Sequence, residues 1–356
     1  MRVLFTGISG SEKGDLAGEL AAHCNTHGHN VGVFDIGKTI FEIIDEQKLS
    51  ISDGRILDVD TNLLKALRVA ACERILRGIE SVKDAFISIH LTFRWRNQLL
   101  PGFNFSDIMK LKPDVYINVV DNLKEIHERI RHSKEWERTP TLDDLNTWLD
   151  EEDFVTRTLA DFQQKPCWVI ARDHYVDNLA KLLFDSAMPR MYLSYPITTI
   201  RRERPQLLAT IQQFGRDLTA RFVVFDPLHI KDMELAHATE KRHDSLETGA
   251  LDIMELNETV VQQVKHRTVT RDYRFIDQSD FIVVYYPTDK LSPGVISEMI
   301  YAHTRNKSVY AIFDGQRSPF FERYCTRIFP DIAAFTEFAD AALTPCATGE
   351  KGGKGV

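Results

Sequence analysis

Short apolar runs of strand length, separated by longer stretches with helical spacing, recur along the whole chain. In the first half the runs Arg2–Thr6, Val31–Phe34, Ala85–Ile89, Val115–Val120 and Cys167–Ile170 are rich in Val, Ile and Phe, which predicts strands. Helical spacing follows the first run as far as His27 and returns over Leu63–Arg77, Asn122–Arg131, Leu145–Phe162 and Val176–Phe184. The runs are continuously apolar rather than alternating. That pattern belongs to a parallel sheet covered by helices on both faces.

A second series starts after Ser186–Pro189. Its strands are the apolar runs from Arg190 to Pro196, Arg221–Phe225, Phe281–Tyr286 and Val309–Phe313. A helix is expected from Arg201 to about Thr219, another beginning at Asp272, and a third at Ser292-Pro293-Gly294, where Ser can cap and Pro suits a first turn. The fold class is therefore α/β, with two doubly wound parallel-sheet (Rossmann-like) domains at 1–186 and 187–345 and a small, polar, disordered tail at 346–356.

Composition narrows the partners. At 356 residues the chain is long enough for two domains, and its net charge of −8 offers no bulk attraction for duplex nucleic acid or an anionic membrane surface. No apolar stretch nears the ~20 residues that span a bilayer, and the first residues read directly as a strand, without a signal peptide. Five scattered cysteines without a CxxC pair suit a reducing, cytoplasmic compartment. His229, His237, His243 and His266 fit no metal-ligand spacing, so the segment 228–267 reads as a polar insertion or lid without a metal.

Candidate chemistry lies at two places. Strand, glycine loop and helix follow one another at Gly7-Ile8-Ser9-Gly10-Ser11-Glu12-Lys13-Gly14, the context of a phosphate-binding loop. Gly7 and Lys13 keep the GxxxxGK[ST] spacing, but Glu12 stands for the second glycine and Gly14 for the metal-binding hydroxyl. The loop is either a nucleotide site or a tight turn. Arg129, Arg131 and Arg138 are phosphate-clamp candidates or a solvated face interleaved with Glu125, Glu128 and Glu135.

The other place is Glu298, one turn into the helix after a strand, where open α/β sheets bind ligands. It either complements the helix dipole or does chemistry. Tyr192 and Asp272 fall toward the same sheet edge, although Tyr192 also suits a half-buried strand and Asp272 an N-cap. A phenol and two carboxylates converging there suit reaction at an anomeric carbon. Ser292 and Gly294 at the helix start, Arg201, Arg202 and Asp280 complete the substrate-binding candidates, and Lys265, His266, Arg267 and Arg271 are a weak anion-binding signal.

Two resemblances add to this reading. FDIGKTIFE (34–42), ISIHLTFRWRNQLLPGF (87–103) and KPDVYINVVDNLKEIHERI (112–130) make residues 1–185 resemble the archaeal-type adenylate kinases, with a degenerate loop at Glu12 and Gly14. That resemblance implies nucleotide binding at Gly7, Gly10 and Lys13, arginine contacts from Arg129, Arg131 and Arg138, and ATP with Mg2+ as cofactors. MYLSYPI (191–197), RDYRFIDQSDFIVVYYP (271–287) and SPGVISEMIYA (292–302) make residues 190–340 resemble the nucleoside 2′-deoxyribosyltransferase-like superfamily. It implies Glu298 as nucleophile, Asp272 and Tyr192 completing the site, no cofactor, and a homo-oligomer. Ser292 in place of an aspartate matches the 2′-deoxynucleoside 5′-phosphate N-hydrolase branch, whereas Ile300 replaces a glycine usual to the family. The expected activity is cleavage of the base–sugar bond of a nucleoside 5′-monophosphate, with deoxyribosyl transfer, phosphoryl transfer and nucleotide sensing as alternatives.

Overall fold

The computed structural model describes residues 1–51, 55–96, 98–133, 136, 139–230, 232 and 258–344. The chain forms two units, Met1–Val176 with His229–Thr268, and Asp177–Leu228 with Val269–Val356. Arg138, His237, His243 and the tail 346–356 lie outside the described residues. Among the described residues no helix is long and apolar enough to cross a membrane.

In the first unit β1 (Arg2–Thr6), β2 (Val31–Asp35), β3 (Asp84–Ser88), β6 (Val115–Val120) and β7 (Cys167–Ala171) form one sheet in the order β2-β3-β1-β6-β7. All neighbouring pairs are parallel, with Val3 beside Phe86 on one side and Val115 on the other. The central strand is buried on both faces, with Val3, Leu4 and Phe5 at 0% exposure, which is why its sequence does not alternate. The hairpin of β4 (Thr92–Trp95) and β5 (Gln98–Pro101) was not legible in the pattern because each strand has only four residues.

The helices are α1 (Lys13–Thr26), α2 (Ile36–Glu46), α3 (Thr61–Ile79), α4 (Phe105–Leu111), α5 (Leu123–His132) and α6 (Leu142–Phe162). Local chemistry starts them. Asp35 and Asp60 accept backbone N–H bonds at the heads of α2 and α3, and Thr141 with Asp144 forms a capping box on α6.

One expectation fails here. Residues from Glu258 onward are not a polar lid: they open a single long helix, numbered α10 below (Glu258–Asp277), and Val260, Val261 and Val264 are buried with Ile8, Leu123 and Trp148. Three valines at helical spacing inside a charged stretch are a core-facing stripe.

The second unit is built on β8 (Arg190–Ser194), β9 (Val223–Phe225), β10 (Phe281–Tyr285), β11 (Ser308–Ile312) and β12 (Arg327–Phe329), again parallel, in the order β12-β11-β10-β8-β9. Chain order reverses between β8 and β10, the switch point at which open sheets take ligands. Its helices are α7 (Val176–Phe184), α8 (Ile197–Glu203), α9 (Leu207–Leu218), the C-terminal part of α10, α11 (Pro293–Thr304), α12 (Pro319–Glu322) and α13 (Ile332–Ala342). One sheet face packs Leu193, Val283 and Tyr310 against Phe214 of α9 and Phe335 of α13.

The division falls ten residues before the expected boundary at 186. Helix α7 joins the second unit because the buried Asn178 amide donates to the Val224 carbonyl (2.9 Å) and accepts from its N–H (3.2 Å). That satisfies the outer edge of β9, which would otherwise be an open template.

Candidate active site

Tyr192 and Ser194 are two residues apart on β8, so both project from the same face of the sheet. Facing them is Glu298, on the second turn of α11. The helix begins at Ser292, in extended conformation (φ −111°), with Pro293 in its first turn. The Tyr192 hydroxyl donates to Glu298 Oε1 at 3.1 Å and the Ser194 hydroxyl donates to Oε2 at 2.5 Å. Each carboxylate oxygen thus has its own hydroxyl. Tyr192 and Ser194 are fully buried, while Glu298 retains part of its exposure.

Asp272 comes from α10. It was expected to cap a helix; instead it sits well inside one, and its carboxylate accepts from Arg271 Nη2 at 2.9 Å and Nε at 3.1 Å. Burial and the negative field of Asp272 push the Glu298 carboxyl up to about 8, against the opposing hydroxyl bonds and Arg271. Burial also raises Asp272 above its ordinary value, with Arg271 pulling it back. Burial, with the charges of Asp272 and Glu298, holds the Tyr192 phenol well above its ordinary value. Two neighbouring carboxyls whose charges act on each other cannot both ionise easily, so near neutral pH the pair shares a proton. One neutral acid and one carboxylate side by side is the pairing that acid-assisted nucleophilic displacement needs.

The other expected residues divide. Ser292 heads α11 without capping it through its side chain, and its N–H donates to the Tyr286 hydroxyl at 2.6 Å. Gly294 is exposed, and a Cβ there would meet nothing within 4 Å, so no close approach demands glycine. Arg201 and Arg202 lie in α8, immediately after β8.

Asp280 does not belong to the site. It precedes β10, at the N-terminal end of the strands, where Arg190 binds it through its backbone N–H (2.8 Å) and guanidinium. Lys265, His266 and Arg267 belong to the first unit, where Arg267 donates to Asn146. Ser194 and the Tyr195–Asp226 bond of 2.7 Å were missed. The available signal was a hydroxyl two residues from Tyr192 in an otherwise apolar strand.

The glycine loop keeps its shape with altered chemistry. Gly7 (φ +149°) and Gly10 (φ +79°) need the freedom of glycine, and Glu12 takes a left-handed conformation (φ +52°) where the motif has glycine. The Glu12 carboxylate accepts from Arg129 Nε at 3.0 Å and Arg172 Nε at 3.2 Å. Arg129 also donates to Asp121 (2.5 Å) and to the Gly10 carbonyl (2.8 Å), and Arg172 pairs with Glu19. Arg131 is exposed beside Glu128.

Lys13 is buried, with Nζ 2.9 Å from His90 Nε2; burial lowers its pKa to about 8. Burial and the lysine charge keep the His90 ring neutral, able to accept that bond. Below the loop, the buried Glu152 carboxylate accepts from the N–H groups of Gly7, Leu91 and Thr92. His90 and Glu152 had no motif to announce them.

A cavity of about 550 Å³ opens at the C-terminal ends of β10, β11 and β12, lined by Tyr285, Phe313, Arg204, Asp289, Asp314 and Asp331 among others. Glu298, Asp272 and Tyr192 do not line it. Among the described residues no group of three or more His, Cys, Asp or Glu side chains is placed to hold a metal ion.

An AAA domain family model matches residues 6–148. A solved shikimate kinase from Bacteroides thetaiotaomicron is similar at 16% identity, over 51% of this chain and 98% of that one, with a TM-score of 0.32. No curated protein matches. The N-terminal parallel-sheet unit thus carries the AAA domain match, and a second parallel-sheet unit follows it.

Proposed function

We propose that the protein is an N-glycosidase acting on a (2′-deoxy)nucleoside 5′-monophosphate, with its chemistry in the second domain. The observation that carries this reading is the Glu298 carboxyl, held at the switch point by Tyr192 and Ser194 beside Asp272. In the reaction, an oxygen of ionised Glu298 bonds to C1′ as the C1′–N bond breaks, and the electron pair leaves with the base. The neutral carboxyl of the pair, Asp272 at that moment, supplies a proton to the departing base. Water then hydrolyses the glycosyl ester and releases the sugar phosphate.

The 5′-phosphate is received at the head of α11. There the Ser292 hydroxyl and the positive end of the helix favour an anion, and an aspartate in place of Ser292 would repel it. Assaying free base from a panel of nucleotides and nucleosides, with wild type and Glu298→Ala, tests the reading. Base release from monophosphates, lost by about 10³-fold or more in the variant, is expected. Equal release by the variant, or none from any nucleotide by the wild type, overturns it. A nucleotide carrying an added second base would replace hydrolysis with transfer.

A second reading, nucleotide binding or sensing by the P-loop domain, is favoured by the family match over residues 6–148. The loop does not fit Mg2+–ATP chemistry as it stands. Residue 14 has no hydroxyl to ligate a metal, a Cβ there would already be 3.1 Å from Asp35 Oδ2, and Arg129 is occupied by Glu12 and Asp121. Tight ATP binding lost in Lys13→Ala, with no base release from any nucleotide, would make this the principal function.

A further inference from the structure

We infer that Ser194 is a positioning residue for the Glu298 carboxylate, fixing with Tyr192 the plane in which it meets C1′. The inference rests on the glycosidase reading above. Ser194 is fully buried, and its hydroxyl has Glu298 Oε2 as its partner at 2.5 Å. Tyr192 occupies the other oxygen. Both donors stand on one interior strand, paired on both sides and held in register by the pairs Tyr192 with Ile282 and Ser194 with Val284. Two donors on a rigid strand, one to each oxygen, remove the rotation of the carboxylate about its terminal torsion, which is soft in an unheld glutamate.

The clamp also suits the covalent step. When one oxygen of Glu298 bonds to C1′ and the base leaves with the C1′–N electron pair, the other oxygen becomes an ester carbonyl. A carbonyl still accepts a hydrogen bond, so one of the two hydroxyl contacts persists through the intermediate. The ionisable and charged groups that face Glu298 are Tyr192 from β8 and Asp272 with Arg271 from α10. Ser194 adds a neutral donor that favours the ionised carboxylate without adding charge.

The test compares Ser194→Ala and Ser194→Cys with wild type and Glu298→Ala. Loss of a hydrogen bond to a charged group predicts a fall in kcat of about 10- to 100-fold in Ser194→Ala, with KM changed less than about threefold. The acid limb of kcat/KM should move to higher pH, because a donor that favours ionised Glu298 is gone. Cysteine, similar in size and a weak donor, should fall between. A 13C-carboxyl titration of Glu298, which needs no turnover, should show the same upward movement in folded Ser194→Ala. Unchanged kcat, pH profile and titration in Ser194→Ala, with Glu298→Ala inactive, would overturn the role of Ser194 and leave the glycosidase reading standing. Base release retained in Glu298→Ala would overturn both.

Discussion

The carboxylate of Glu12 and the guanidinium of Arg129 are 3.0 Å apart, although the first stands in the glycine loop and the second on α5. A side chain of the loop thus engages an arginine that the kinase resemblance assigns to phosphate. Replacing Glu12 with glycine should take one acidic partner from Arg129 and Arg172, which keep Asp121 and Glu19, relax a left-handed non-glycine residue and remove a negative charge from the glycine loop. The affinity for ATP, measured by calorimetry, should rise about 5- to 10-fold or more. Weaker binding in Glu12→Gly would mean that the carboxylate helps hold the ligand.

Glu298 should destabilise the folded chain at neutral and alkaline pH. Its carboxyl is neutral up to about 8 in the fold against an ordinary value of 4.5, so the folded state binds more protons between those values. Stability from this group is therefore greatest below about 4.5 and is lost as pH rises toward 8; Asp272 adds to the same trend. Glu298→Gln stays neutral throughout. Its melting temperature should exceed the wild-type value at pH 8, by an amount that shrinks to nothing near pH 4.5, as read by differential scanning calorimetry.

Asp272 raises Glu298 through its charge, so removing that charge should lower the Glu298 pKa. On the glycosidase proposal, base release in Asp272→Asn should be slower by about 10²-fold or more, through loss of the proposed proton donor. The acid limb of its kcat/KM profile should lie at lower pH than in the wild type. A limb displaced upward would contradict the electrostatic account of the pair.

Gly102 follows the β4–β5 hairpin, and a Cβ there would lie 2.2 Å from the His90 carbonyl oxygen. Backbone cannot step aside as a flexible side chain can. Gly102→Ala should destabilise the first domain by about 2 kcal/mol or more, and should weaken any ligand that depends on Lys13 by shifting His90. Denaturant unfolding followed by the fluorescence of Trp148, which lies in that domain, reads the first effect.

The chain's own pattern determined much of this protein. Continuous apolar runs placed the core strands of both sheets, because burial on two faces is a local property of residue type. The same pattern marked the glycine loop at Gly7 and the helix start at Ser292, where backbone conformation restricts the residue. It also pointed to Tyr192 and Glu298 as neighbours, whereas Asp272, expected at a helix start, lies well inside a helix. Tertiary structure alone decided which polar groups meet. It gave Glu298 the Ser194 hydroxyl, took Asp280 to the opposite end of its strand to bind Arg190, closed Glu12 onto Arg129 and Arg172, and turned Val260, Val261 and Val264 inward. Hydrophobic periodicity is read from neighbours along the chain. The partner of a charge or hydroxyl depends on strand order and register, which bring together residues ninety or more positions apart.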